Sequence, residues 1–147
     1  MSNLQQLLND SSGKAQPALK SLFNQPGRAM SVDEFREFFR SIRLFSMATT
    51  SASGGPHIAP VHVKITDDDE FQMTIQTESL RWQDIQRDPR VAFTGWVEGG
   101  KTVILYGTAT PIPGTEREST AGGRPKPVLT LRIEPTRIHA MDPRRNS

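Results

Sequence analysis

The residues best suited to chemistry sit where FQMTIQ runs into TESLRWQDIQR. The first segment alternates apolar and polar positions and reads as a strand from Phe71 to Gln76. The second reads as a helix from about Ser79 to Arg87, stopped by Asp88-Pro89. A helix start carries unpaired N–H groups and the positive end of a dipole, which together attract anions. Ser79 and Arg81 fall in its first turn, adding a hydroxyl and a guanidinium, both donors suited to phosphate. The same residues could also do no more than cap a helix, and taken alone they leave both readings open.

Other candidate motifs are weaker. Residues 95–102, GWVEGGKT, fit the phosphate-loop pattern letter for letter. That loop must lead into a helix, whereas VILYGTAT follows here and reads as a strand, so the match is assigned to a hairpin. There is no cysteine, which excludes disulfides, thiolate catalysis and cysteine metal sites. His57 and His62 lie five apart on one expected strand and face opposite sides, so no shared metal is expected. No Ser–His–acid convergence is legible in the spacing, and no side chain is assigned a catalytic role. DDDE at 67–70 reads as a solvated turn.

The 147 residues fit one domain with a substantial core, and the net charge is +2. Basic residues are interspersed with acids and form no stripe with aromatics, so no nucleic-acid partner is expected. No long apolar run spans a membrane, and no secretory leader is evident, which together with the absence of cysteine suggests a cytoplasmic protein.

The elements that must position Ser79 and Arg81 can be read around them. Residues 1–30 form a weakly helical or partly disordered arm, with Leu4, Leu7 and Leu8, then Leu19, Leu22 and Phe23, at helical spacing. Residues 31–147 form the main domain. SVDE at 31–34 is a capping box that opens a helix. Phe35, Phe38, Phe39 and Ile42 give it an apolar stripe, with Arg36, Glu37 and Arg40 outward, and it should end near Arg43. Strands are expected at 44–50, 56–65, 71–76, 91–97 and 102–110, with a last one from 128 that bends at Pro135. Pro60 cannot donate to a ladder, so its strand should be an edge or carry a bulge there. Residues 111–127 read as a breaker-rich loop. The result is a mainly β chain of six or so antiparallel strands, one N-terminal helix and one crossover helix, closing into a small barrel.

The ordered set ATTSASGGPHIAPV (48–61), DDDE (67–70), SLR (79–81) and DPRV (88–91) resembles the FMN-binding split-barrel family. These are the pyridoxamine 5'-phosphate oxidase-like proteins, which include the deazaflavin (F420) reductases. The resemblance covers roughly Ser31 to Pro143. It implies a split β-barrel that forms homodimers, with a flavin held in a groove between subunits. By position it implies FMN contacts from Ala59, Pro60 and Val61 along the ring edge and from Ile75 and Gln76 beside the phosphoribityl chain. Ser79 and Arg81 would then take the phosphate. Lys64 falls where the oxidases hold a substrate phosphate, and Thr102 where they place a glutamine. Trp82 and Trp96 are aromatic candidates near the ring or the dimer groove. The chain departs from the oxidases at Leu80, where they carry a second base, and in the segment LRIEPTRIHAMDPRRNS, which lacks their tryptophan. The resemblance therefore implies a flavin-dependent oxidoreductase with a small organic substrate other than vitamin B6. F420 in place of FMN on the same fold, or a non-catalytic flavin- or haem-binding or stress-related protein, are the alternatives.

Overall fold

The computed structural model describes residues 4–14 and 30–143. The expected helical spacing at Leu19, Leu22 and Phe23 lies outside the described residues. Helix α1 (Leu4–Lys14) follows the Leu4, Leu7, Leu8 pattern, and its Leu4 and Leu8 are buried in the common core. It is tied to the next helix by the Val32 amide, which donates to the Gln5 side chain at 3.2 Å.

Helix α2 (Val32–Ser41) opens with the expected capping box. The Glu34 amide donates to Ser31 Oγ, and the Ser31 amide donates to Glu34 Oε1. Its apolar stripe is buried as the spacing required, with Phe35, Phe38 and Phe39 almost inaccessible. The Phe39 ring meets Phe35, Phe45, Phe71 and Phe93, the nearest centroid at 4.7 Å. Such tilted and edge-on aromatic contacts add to the area they bury. This plug fills the concave side of the sheet. Arg36 is not outward as the stripe suggested. It makes two bonds to Asp69, at 2.5 and 2.7 Å, in the turn that reads as solvated DDDE. That guanidinium hydrogen bond holds the Asp69 carboxyl below its usual range, against the opposing effect of burial. Asp69 takes φ of 64°, a left-handed conformation that aspartate tolerates better than most residues.

The strands are β1 (Phe45–Thr50), β2 (Pro56–Val61), β3 (Lys64–Ile65), β4 (Phe71–Gln76), β5 (Arg90–Trp96), β6 (Thr102–Pro111), β7 (Arg117–Ser119) and β8 (Lys126–Met141). Helix α3 (Leu80–Arg87) links β4 to β5. The strands form one antiparallel sheet in the order β2-β1-β5-β6-β8-β4-β3, with β7 paired to β8. The expected strand 56–65 is two strands. Its first part pairs with β1 and its second with β4, which lie toward opposite edges of the sheet. Only His62 and Val63 separate these edges. Three Cα steps span at most about 11 Å, so the sheet must curl until its edges meet. The barrel is thus closed by the chain and split in its hydrogen bonding, and Pro60 sits on an edge strand as its missing N–H requires.

The hairpin at Glu98–Gly100 is closed by Val97 and Lys101, and β6 follows at once, so GWVEGGKT is a strand turn and not a phosphate loop. The loop at 111–127 contains the short β7, which sequence reading did not expect. The bend at Pro135 is a bulge in one long strand, where the register shifts between Tyr106 and Gly107. Among the described residues no helix is long and apolar enough to cross a membrane.

Gly107 lies at that bulge, and a Cβ there would strike the Glu134 carbonyl oxygen. The obstacle is backbone and cannot swing aside. Gly107→Ala should therefore destabilise the protein by about 3 kcal/mol, the upper end for overpacking. Urea denaturation checks this, and a midpoint equal to the parent's would show that the bulge relaxes freely.

Candidate functional site

The seam of the barrel is a cleft. One lobe, of about 370 Å³, is bounded by residues 60–64 at the edge crossing, by Gln72, Met73 and Thr74 of β4, and by Arg81, Arg117 and Thr130. Lys64, Arg81 and Arg117 bring cations to it, and no carboxylate lines it. Arg117 is held by neutral groups, donating to the Thr115 carbonyl and to the hydroxyls of Thr130 and Thr74. A second lobe, of about 330 Å³, lies between β1, β2 and α3. Its walls are Met47, Ile58, Ala59 and Leu80, and its polar groups are Thr49, His57, Ser79, Arg81 and Asp84.

Arg81 lines both lobes. Its Nε is buried and has no hydrogen-bond partner among the described residues. Burial alone pushes the guanidinium below the usual arginine value, with no carboxylate to offset it. A desolvated cation without a counter-charge is costly, and an anion in the cleft would relieve that cost. Ser79 beside it is the N-cap of α3. Its Oγ accepts from the Trp82 amide at 3.1 Å and its hydroxyl donates to the Gln76 carbonyl at 2.8 Å. The hydroxyl proton and the Trp82 amide are therefore used within the chain, and of the first turn of α3 the Leu80 and Arg81 amides are the ones left over.

Across the second lobe His57 Nδ1 lies 2.6 Å from Asp84 Oδ2. Asp84 is only 3% exposed and also accepts from the Thr49 hydroxyl at 2.8 Å and from Arg87 at 2.9 Å. Its carboxyl is held below the usual range, first by the His57 hydrogen bond and then by Thr49 and Arg87, against the effect of burial. These partners come from β1, β2 and α3. Spacing could not foretell their meeting. The one signal available was an Asp one turn into the helix, three residues after Arg81.

The residues singled out from sequence divide as follows. Pro60, Val61, Lys64 and Arg81 line the first lobe, and Ala59, Ser79 and Arg81 the second. Gln76 is exposed at the end of β4 and contributes its carbonyl to the α3 cap. Ile75 is a core residue at 1% exposure. Trp82 packs against the core from α3, and Trp96 is exposed. Thr102 sits at the start of β6, opposite Trp96 and Met141, where its hydroxyl donates to the Gly100 carbonyl. It lines neither lobe within this chain. Thr49, His57, Asp84 and Arg117 are among the polar residues of the cleft to which the sequence assigned no ligand role, with His62, Gln72, Thr74 and Thr130.

The model of pyridoxamine 5'-phosphate oxidase matches residues 31–142, from the capping box to the end of β8. The chain belongs to that family. It is 30% identical over 82 residues to a pyridoxine/pyridoxamine 5'-phosphate oxidase of Alkalilimnicola ehrlichii, an alignment covering 55% of this chain and 42% of the enzyme. The chain thus spans about two-fifths of the length of that oxidase. Among solved structures it is similar to a conserved hypothetical protein of Mycobacterium tuberculosis, with TM-score 0.66 and 19% identity over 83% of this chain and 91% of the other. It is also similar to an F420 reductase, with TM-score 0.56 and 13% identity over 70% and 94% of the two chains. At such identities the structural likeness shows the fold, a pyridoxamine 5'-phosphate oxidase-like split barrel, and does not select a cofactor.

The Asp84 network should be visible in acid. A carboxyl whose folded pKa is depressed contributes stability that is fully present above its unfolded value, near 3.9, and is lost as pH falls through the folded value. Asp84→Asn should therefore melt below the parent at pH 7. The gap should narrow as pH is lowered below about 4, where the parent's own carboxyl takes up its proton. Thermal melts from pH 7 to pH 2.5 test this, and a gap independent of pH would remove the charge of Asp84 from the account.

Proposed function

We propose that this protein is a flavin-type oxidoreductase that binds FMN, or F420 in its place, and serves hydride transfer to or from a small organic substrate. The observation that carries this reading is the half-buried Arg81 guanidinium at the start of α3, whose buried Nε has no hydrogen-bond partner among the described residues and which lines both lobes of the cleft. It is the group a ligand phosphate would neutralise. The first-turn amides of α3 would share that phosphate. Pro60 and Val61 would flank the ring through backbone groups of the edge strand, whose outer side is unpaired. Lys64 and Arg117, which line the first lobe, would attract an acidic group on the substrate or on the cofactor's tail. When bound, the flavin supplies the hydride chemistry itself, and the protein orients it and excludes water.

In this reading the protein is a cytoplasmic homodimer with the ligand groove shared between subunits. Support comes from the outer face of the sheet. Ile58 is 76% exposed and Trp96 62% exposed, and an apolar hollow there is lined by Ala48, Ile58, Ala92, Phe93 and Ile104. A contiguous exposed apolar face of this kind marks an association surface. A second subunit is also what would bring Thr102 or Trp96 to the groove. Light scattering should give the mass of a dimer, and a stable monomer loaded with cofactor would sink the shared-groove reading.

The cofactor is tested by absorbance of the purified protein and by titration with FMN, F420 and riboflavin. Arg81→Ala should weaken the phosphate-bearing ligand by roughly ten- to a hundredfold, the weight of a charge-assisted hydrogen bond of about 1.5–3 kcal/mol. Arg81→Lys should recover most of the loss. Riboflavin, lacking the phosphate, should bind the parent poorly and be nearly indifferent to the change. Equal FMN and F420 affinities in parent and Arg81→Ala would place the anion site elsewhere. A bound flavin that no reductant or substrate turns over would favour a non-catalytic binding protein.

A further inference from the structure

β7 carries a charge that the fold fixes and does not neutralise. Arg117 lies on this short strand, and its guanidinium rests on the ladder between β4 and β8. Thr74 and Thr130 are register partners in that ladder, so their side chains stand next to one another. Nη2 donates to Thr74 Oγ1 and Nη1 to Thr130 Oγ1, each at 3.3 Å. Nη1 also donates to the Thr115 carbonyl at 2.9 Å. Thr115 is itself fixed, since its hydroxyl donates to the Ile112 carbonyl and accepts from the Thr130 amide. A guanidinium has five N–H groups, and these bonds use three of them. The Nε–H and the second Nη2–H have no partner among the described residues. Both belong to one edge of the planar group, the edge whose spacing matches the two oxygens of a carboxylate.

Anchoring through neutral acceptors holds this cation in place and leaves its charge available. Arg117 enters no ion pair among the described residues, and no carboxylate lines the first lobe. Glu118, its neighbour on β7, alternates to the opposite face of the strand. Beside Arg117 the lobe has apolar walls from Pro60, Val61, Val63 and Met73. Resting on the reading that this cleft holds the flavin, we propose that Arg117 determines substrate specificity, and that the first lobe takes the carboxylate of a small organic acid. The carboxylate sits on the Nε–Nη2 edge, and the apolar body of the acid lies toward Pro60 and Val61, beside the strand that flanks the ring in that reading. Lys64 adds positive potential to the lobe, but a single ammonium offers no fork. A planar monoanion matches one edge of one guanidinium. A phosphate monoester brings close to two negative charges, and that edge leaves one of them unmatched. An amide of the same acid has no charge and turns an N–H₂ donor toward the Arg117 donors. The lobe therefore prefers the free acid to its neutral derivatives and to a phosphate of similar size.

The test is a proton–nitrogen NMR titration of the isotopically labelled full chain loaded with FMN, at low ionic strength so that salt does not screen the pair. The probes are propionate, propionamide and methyl phosphate. The Arg117 Nε–H resonance is identified by its absence from Arg117→Lys. Propionate should move it saturably, propionamide should leave it in place, and methyl phosphate should bind more weakly than propionate. Arg117→Lys keeps the charge and loses the fork. Propionate should bind it about tenfold more weakly, as followed at the Thr74 and Thr130 amides. An Arg117 resonance that propionate does not move would overturn the proposal. Methyl phosphate binding more tightly than propionate, or equal propionate affinity in parent and Arg117→Lys, would overturn it as well. An FMN affinity that fell in step with that of propionate in the variant would give Arg117 to the cofactor instead of the substrate, against the proposal. A chain that takes up neither FMN nor F420 and still binds propionate through Arg117 would end the cofactor reading and uphold the carboxylate site.

Discussion

One constraint organises the molecule: two edge strands of a single sheet are joined by only two residues. β2 pairs with β1 and β3 pairs with β4, at the two ends of the strand order, yet His62 and Val63 are all that lie between. The sheet cannot stay open under that tether. It curls around the phenylalanine plug of α2, and its edges approach without pairing. An unpaired seam in a closed sheet is a strip of free backbone groups with walls on either side. It is where an extended ligand can lie against peptide edges; the first lobe of the cleft lies on it and the second continues along β2 toward α3.

The second physical theme is an imbalance of charge along that seam. Several cations elsewhere are matched by carboxylates, as Arg36 is by Asp69 and Arg90 by Asp88. In the cleft they are not. Arg117 is held by hydroxyls and a carbonyl, and Arg81 is desolvated without a partner at Nε. The one carboxylate near them, Asp84, makes no hydrogen bond to Arg81 and is taken up by its own donors from β1, β2 and α3. A half-buried guanidinium left uncompensated beside a carboxylate satisfied threefold is the electrostatic contrast on which the proposed anion site rests.

The stability of this arrangement rests on parts remote from it. The Arg36–Asp69 pair and the Phe39 cluster hold the β3–β4 hairpin against α2, which sets one lip of the seam. The bulge beside Gly107 lets β8 run the length of the sheet and pair with β6, β4 and β7 in turn. Arg117 reaches the cleft only because β7 docks on β8. The site is thus spread over the whole barrel, and small shifts in distant packing would be felt in its width.

Much of this was legible in the sequence, because local physics dictates it. The α2 capping box and stripe, the β4-to-α3 junction, the edge position of Pro60, the hairpin that mimics a phosphate loop and the break at Pro135 all follow from periodicity, turn chemistry and missing donors. The ordered motifs were enough to indicate the split-barrel family. Tertiary structure alone decided three things. It cut the strand at 56–65 in two, because pairing with opposite edges is a property of topology and not of alternation. It converted Asp69 from a solvated turn residue to an ion-pair partner. And it brought Thr49, His57 and Asp84 together from three elements up to 35 residues apart, a convergence that no spacing along the chain encodes.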